Sequence, residues 1–429
     1  MKKLLSLFAV STLIASSVST VVSCGGSSDT INILFIPSNN STEIINTVKP
    51  LEQKLATELS SIAQKDGRTL NKKVKISTST NYEVAGKTLQ DGKADLAFLP
   101  INTYVKYRGK DNEGKFSSEG VLLSASRSGV TPETKGFEPF QTDGKFDSSK
   151  AQNKAIDAQT SMQLAQYYNK TATGIENLQQ AKEKLEDSEN TASYYRSYIY
   201  ANNAFLSASG FDITKYGKEN LTREESVESS EQYKADLKAL ILKGATEDKF
   251  KFSFGKSKTS SAGVLYPMLW LKNVLGFEDS ELQGLWKKAS QQESYPQAAE
   301  NISNAQNDGA ANYAVGFSDI RSEQKDDNKV KKAFANSTVI GATDAIPNDL
   351  IVYSKKRIND EQYKDDLRTA FINLIAKPEN KEIFNIYSHT GYIGPTSKEA
   401  SESFEVDMDS SITRATVETA KMLELMKNW

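Results

Sequence analysis

The sequence predicts an α/β protein built on mainly parallel sheets, and three features point there. Short apolar runs of strand length recur along the chain, Ile31–Pro37, Val74–Ser77 and Asp95–Pro100 first among them. Amphipathic helical segments lie between them, so that strand and helix alternate as in βαβ units. The length, 429 residues, allows roughly two to three domains with a substantial core.

Ile31-Asn32-Ile33-Leu34-Phe35-Ile36-Pro37 reads as a buried strand closed by the polar turn Ser38-Asn39-Asn40-Ser41. Ile44, Val48, Leu51, Leu55, Leu59 and Ile62 then recur at three- and four-residue steps, one face of a helix. A second strand spans Val74–Ser77, a helix Tyr82–Gln90, and a third strand Asp95–Pro100. Ligands of parallel sheets sit at the carboxyl ends of strands, where Ser38–Ser41 and Ile101–Tyr104 fall. Residues 136–190 change texture, rich in Lys, Gln, Asn, Asp and Ser, and predict a solvent-rich helical insertion with helices near 151–168 and 175–185. Tyr194–Tyr200 and the alternating Phe250–Gly255 are strands. The apolar run Ala262–Leu275 is a buried helix that Pro267 kinks or opens. Tyr313–Phe317 and Leu350–Tyr353 are late strands, and Ser411–Trp429 is a docking helix.

The first residues read as a leader. Lys2-Lys3, an uncharged run from Leu4 to Val22, and Val21-Val22-Ser23-Cys24 form a signal peptide over 1–23 whose last four residues fit a lipobox. Cys24, the only cysteine, is then the lipidated first residue of the mature chain, and Gly25–Thr30 completes a tether over 24–30. No internal disulfide can form. Lys+Arg 53 against Asp+Glu 55 gives −2, and loss of Lys2 and Lys3 leaves about −4, no basis for nucleic-acid binding. A single histidine, His389, argues against a histidine-based zinc site or a Ser-His-Asp triad.

Lys258-Thr259-Ser260-Ser261 follows a strand and opens a helix. Free N–H groups, the positive end of the helix dipole and clustered hydroxyls suit a phosphate or carboxylate; plain N-capping is the competing reading. Gly255-Lys256-Ser257 is no Walker A loop, because Phe250 stands where the first glycine belongs. Tyr82, Tyr104, Tyr195 and Tyr198 lie near strand ends, where tyrosine either stacks on a ligand and donates to it or simply packs. Asp95 reads as a strand-start residue, Asp319 as a loop acid and His389 as a structural loop residue.

Taken in order, several segments carry a resemblance: Phe35–Ser38; Tyr82 with Leu89–Ala97; Tyr195–Ile199; Thr259–Ser261 with Gly263 and Pro267; Asn307–Asn312; and Ile346–Asp349. With the leader, the chain resembles the type 2 extracytoplasmic solute-binding proteins of phosphonate transporters, and among them the mycoplasma high-affinity transport lipoproteins that bind thiamine. The resemblance implies a two-lobed periplasmic-binding-protein-like fold with two hinge crossings, each lobe a mainly parallel sheet flanked by helices. Lobe one would comprise 31–123 and 344–429, and lobe two 124–343. It implies a monomeric, non-enzymatic binding protein without a cofactor, held at the outer face of the cell membrane by its lipid anchor. That protein would deliver thiamine or thiamine pyrophosphate, or else a phosphonate or phosphate ester, to an ABC permease; a surface adhesin is the rival. Carried over residue by residue, it implies Thr259, Ser260, Ser261, Tyr195, Ser197 and Tyr82 as ligand contacts. Asn39, Asn40 and Asn102 suit a pyrimidine by their chemistry and their place at strand ends. Two departures stand out: the family's Ser-Thr-Ser-Gly run is here Thr259-Ser260-Ser261-Ala262-Gly263, and Asn312 stands where an acid is common.

Overall fold

Ile33-Leu34-Phe35-Ile36 is buried on both faces, as expected of a central strand whose β-branched and aromatic side chains pack on a pleated surface. A computed structural model of the chain describes residues 29–38, 41–110, 117–217, 223–246, 252–304, 311–324, 326–395 and 400–429. The expected leader, the tether up to residue 28 with Cys24, and the candidate contacts Asn39 and Asn40 lie outside the described residues, whereas Thr30, expected to end the tether, already opens the first strand.

Two sheets organise the molecule. The first runs in the order Gly391–Ile393, Glu119–Val130, Leu350–Ser354, Leu96–Leu99, Thr30–Phe35, Lys73–Thr78, and Glu186–Ala192 pairs with the far end of Glu119–Val130. The second runs Ser290–Gln292, Phe252–Gly255, Tyr313–Phe317, Ser197–Asn202, Ser337–Ala342. Each has a parallel triplet, 73–78/30–35/96–99 in one and 290–292/252–255/313–317 in the other. Antiparallel strands extend both triplets, so the sheets are more mixed than the sequence suggests. Each sheet holds its own apolar core. A short ladder, Tyr194–Tyr195 against Ile346–Pro347, lies between them.

Three details depart from expectation. The apolar stripe of 44–62 is two helices, Ser41–Val48 and Leu51–Lys65, because Pro50 has no N–H to continue the first; Ala63 rather than Ile62 completes the buried face. Segment 136–190 is not solvent-rich throughout. Helix Ala158–Thr171 buries Met162, Leu164, Ala165 and Tyr168, and its Ser161 Oγ accepts from Trp270 Nε1 at 2.9 Å. The C-terminal segment is two helices, Ala400–Ala415 and Val417–Leu425. Ile412 joins the first core, whereas Met422 and Met426 join the second. The chain therefore passes between the lobes a third time near Thr416.

Glu119 begins a central strand with both carboxylate oxygens buried and unpartnered, beside the equally unpartnered Ser354 Oγ. Burial pushes its pKa up to about 9 from an ordinary 4.5. The folded state therefore keeps a proton that the unfolded chain releases, and stability falls as pH rises from about 4.5 towards 9, by at most about 1.4 kcal/mol per pH unit. Glu119→Gln should raise the melting temperature by several degrees at pH 8 and little at pH 5. Equal effects at both pH values in thermal unfolding would contradict this assignment.

Candidate ligand site between the lobes

The carboxyl ends of both parallel triplets face one another. Pro37 and Ser38 follow 30–35, Asn81 and Tyr82 follow 73–78, and Pro100 follows 96–99. Opposite them, Lys256 and Ser257 follow 252–255, Ser294 and Tyr295 follow 290–292, and Phe317 ends 313–317. All line two adjoining cavities that share Ser38, Tyr82, Ser260 and Tyr295. This is the crevice that the strand-end rule predicts, built twice and closed face to face.

Helix 261–274 starts at this cleft. Ser260 Oγ accepts from Gly263 N–H at 3.1 Å, an N-cap. The helix is wound as π turns, Ser261–Leu265 and Trp270–Val274, around the α turn Tyr266–Leu269. Leu265 N–H donates to Ser260 C=O at 3.0 Å, a five-residue step. Pro267, which has no N–H for the carbonyl of Gly263, accounts for part of this winding. Gly263 is required by close approach: a Cβ there would lie 2.8 Å from Ser260 Oγ and 3.3 Å from Gly255 Cα.

The expected hydroxyl cluster divides. Thr259 Oγ1 meets Thr103 Oγ1 at 3.1 Å, and its hydroxyl and N–H both donate to Glu83 Oε1. Asn102 Nδ2 donates to Ser261 Oγ at 2.8 Å, and Thr419 Oγ1 donates to Asn102 Oδ1 at 2.6 Å. Thr259, Ser261 and Asn102 thus form a clasp between the lobes and the C-terminal helix. Of the three hydroxyls, Ser260 lines both cavities and Ser261 one. Ser197 is fully buried and donates to Ala262 C=O at 2.8 Å, which fixes the helix start rather than facing the cleft. Tyr82 and Tyr195 do line the cleft, and burial holds their phenols well above the ordinary range, neutral and able to donate. Tyr104 and Tyr198 spend their hydroxyls on Asp409 and Glu133. Asp319 is no solvated loop acid: it is buried against Arg321 at 2.7 Å. Asp95 accepts from Asn32 at the start of its strand.

Sequence reasoning missed Arg127. It lies on Glu119–Val130 on the buried face shared with Val121, Leu123 and Ala125; a cation in step with that period-two pattern was the available signal. Its Nε donates to Asn348 Oδ1 at 3.1 Å and its Nη2 to Asp349 Oδ2 at 2.6 Å, while Nη1 is buried without a partner. Tyr195 and Phe317 sit against the guanidinium, their ring centres 4.8 and 4.7 Å away. Burial alone would raise the Asp349 carboxyl, but the Arg127 guanidinium holds it below its ordinary range. His389 is buried and neutral, its Nε2 3.8 Å from Asp349.

The clasp closes the cleft with bonds worth about 1 kcal/mol each. Thr259→Val with Ser261→Ala should lower the melting temperature by several degrees and raise the radius of gyration of the ligand-free protein in X-ray scattering. An unchanged radius would show that these bonds do not hold the lobes together.

Residues 227–400 match the family described as the periplasmic substrate-binding protein of phosphonate ABC transporters. A comparison with curated proteins gives no match. Among solved structures, the Mycoplasma hyorhinis protein Mh-p37, a proposed thiamine pyrophosphate transporter, superposes with a TM-score of 0.57 at 14% identity, over 91% of this chain and 100% of that one. A binding component of a Pseudomonas aeruginosa phosphonate transporter gives 0.47 at 14% identity, over 93% and 95%. PhnD1 of Prochlorococcus marinus, in complex with methylphosphonate, gives 0.46 at 13% identity, over 91% and 99%. The chain has the two-lobed α/β fold of periplasmic binding proteins, and over 227–400 it is similar to the substrate-binding proteins of phosphonate ABC transporters.

Proposed function

We propose that this chain is the extracytoplasmic substrate-binding protein of an ABC importer, and that it carries thiamine or thiamine pyrophosphate in the cleft between its lobes. One observation carries the reading: the carboxyl ends of two parallel strand triplets enclose a cavity with a buried guanidinium, hydroxyls and tyrosine rings. Such a set suits a small molecule with a flat ring and an anionic group. The match over 227–400 supports the transport role. The thiamine preference draws on the resemblance to the mycoplasma thiamine-binding lipoprotein Cypl and on the ligand proposed for the Mycoplasma hyorhinis protein. A phosphonate or phosphate ester is the second reading, favoured by the name of the matched family.

Under this proposal the protein binds rather than catalyses. Ligand contacts from both lobes stabilise the closed state, and closure about the crossings presents the loaded form to a permease. Cys24, lipidated, would tether a monomer at the outer face of the membrane beside that permease. Tyr82 and Tyr195 would stack on the ligand ring, with Ser260 near its anionic group.

A ligand of the native state raises stability by mass action. The protein from Cys24 onward should gain several degrees in melting temperature with thiamine pyrophosphate and less with thiamine. No gain with thiamine, its phosphates or methylphosphonate would overturn the proposal.

A further inference from the structure

We infer that Arg127 receives the anionic group of the cleft ligand, that Ser38 assists it, and that Asn348 and Asp349 position its guanidinium so that ligand charge is read at the hinge itself. The inference deepens the proposed function and rests on the cleft being a small-molecule site.

Arg127 is 4% exposed and lines the cavity that Tyr195, Ser260 and Phe317 also line. A guanidinium carries five N–H donors in a rigid plane. Nε and Nη2 are engaged by Asn348 and Asp349, the faces lie near Tyr195 and Phe317, and the Nη1 edge is left. An unpartnered donor on a buried cation is costly, and planar or tetrahedral oxyanions satisfy such an edge best. Ser38 Oγ, on the same cavity, is likewise buried without a partner. Two unsatisfied donors on one cavity wall call for an acceptor between them. A purely structural Arg127–Asp349 pair does not account for Ser38 or for Nη1.

The supports of Arg127 are the crossings themselves. Asn348 Nδ2 donates to Ala125 C=O and to Ala192 C=O, both at 2.9 Å. The outgoing strand, the 186–195 segment and the return at 346–350 are therefore tied to the residue that holds Arg127. Asn348 and Asp349 are positioning residues in this scheme.

Inorganic pyrophosphate is the probe, titrated by calorimetry into the chain from Cys24 onward and into three variants. Arg127→Met with Asp349→Asn removes both charges, so neither is stranded; circular dichroism and a cooperative melt establish its folding. Arg127→Lys keeps the charge and loses the fork, and Ser38→Ala carries the test if the double variant does not fold. Expected are a loss of about 50-fold or more for the double variant, about 10-fold for Arg127→Lys and a few-fold for Ser38→Ala. Wild-type protein that binds no pyrophosphate, or folded variants all within twofold of it, would overturn the inference. Thiamine run in parallel separates the two ideas: pyrophosphate bound through Arg127 without binding of any thiamine compound would uphold Arg127 and remove the thiamine reading.

Discussion

Asn348 is the knot on which the two-lobed arrangement depends. Its side chain is 1% exposed and satisfies three partners at once, two backbone carbonyls and Arg127 Nε. Each partner sits on, or beside, a segment that passes from one sheet to the other. An amide can bridge donors and acceptors in this way where an apolar residue would leave three buried groups unpaired. Because Arg127 is part of the knot and also walls the cleft, hinge geometry and site geometry share one set of bonds.

A second buried network ties the 131–192 segment to the same region. Glu133 accepts from Tyr194, Tyr198 and Arg196, and Arg196 reaches the carbonyls of Thr343 and Ala151. Each of these donors finds an acceptor, which is what makes a buried ion pair tolerable. The helices of this stretch pack on the core of the second sheet, while Glu186–Ala192 pairs with the first, and the polar composition decorates one face of helices whose other face is core.

A clasp of Thr103, Glu83 and Asn102 with Thr259 and Ser261 joins the lobes beside the cleft, and Thr419 brings the last helix into it. Lys258 Nζ adds a bond to Met426 C=O at 2.7 Å. The crossings and the clasp are both drawn from residues far apart in sequence, so each ties distant segments of the chain together. Hydroxyls that suit an oxyanion suit a neighbouring lobe equally well, and here most of the cluster serves closure.

Local pattern alone determined much of this protein. Strands such as Thr30–Phe35 and Tyr313–Phe317, the helix opening at Ser260, and Tyr82 and Tyr195 at strand ends follow from side-chain periodicity, turn chemistry and N-cap preference, which act within a few residues. Only the tertiary structure decided what each polar group faces. Thr259, Ser261, Ser197 and Asn102 look like ligand groups in a line of sequence and are consumed by partners that are 65 to 317 residues away. Arg127 carries no signal of its own in the sequence and becomes a cleft cation, because its neighbours Asn348 and Asp349 arrive from the far end of the chain. Hydrogen bonds are satisfied in space rather than along the backbone, and that is where the candidate site was settled.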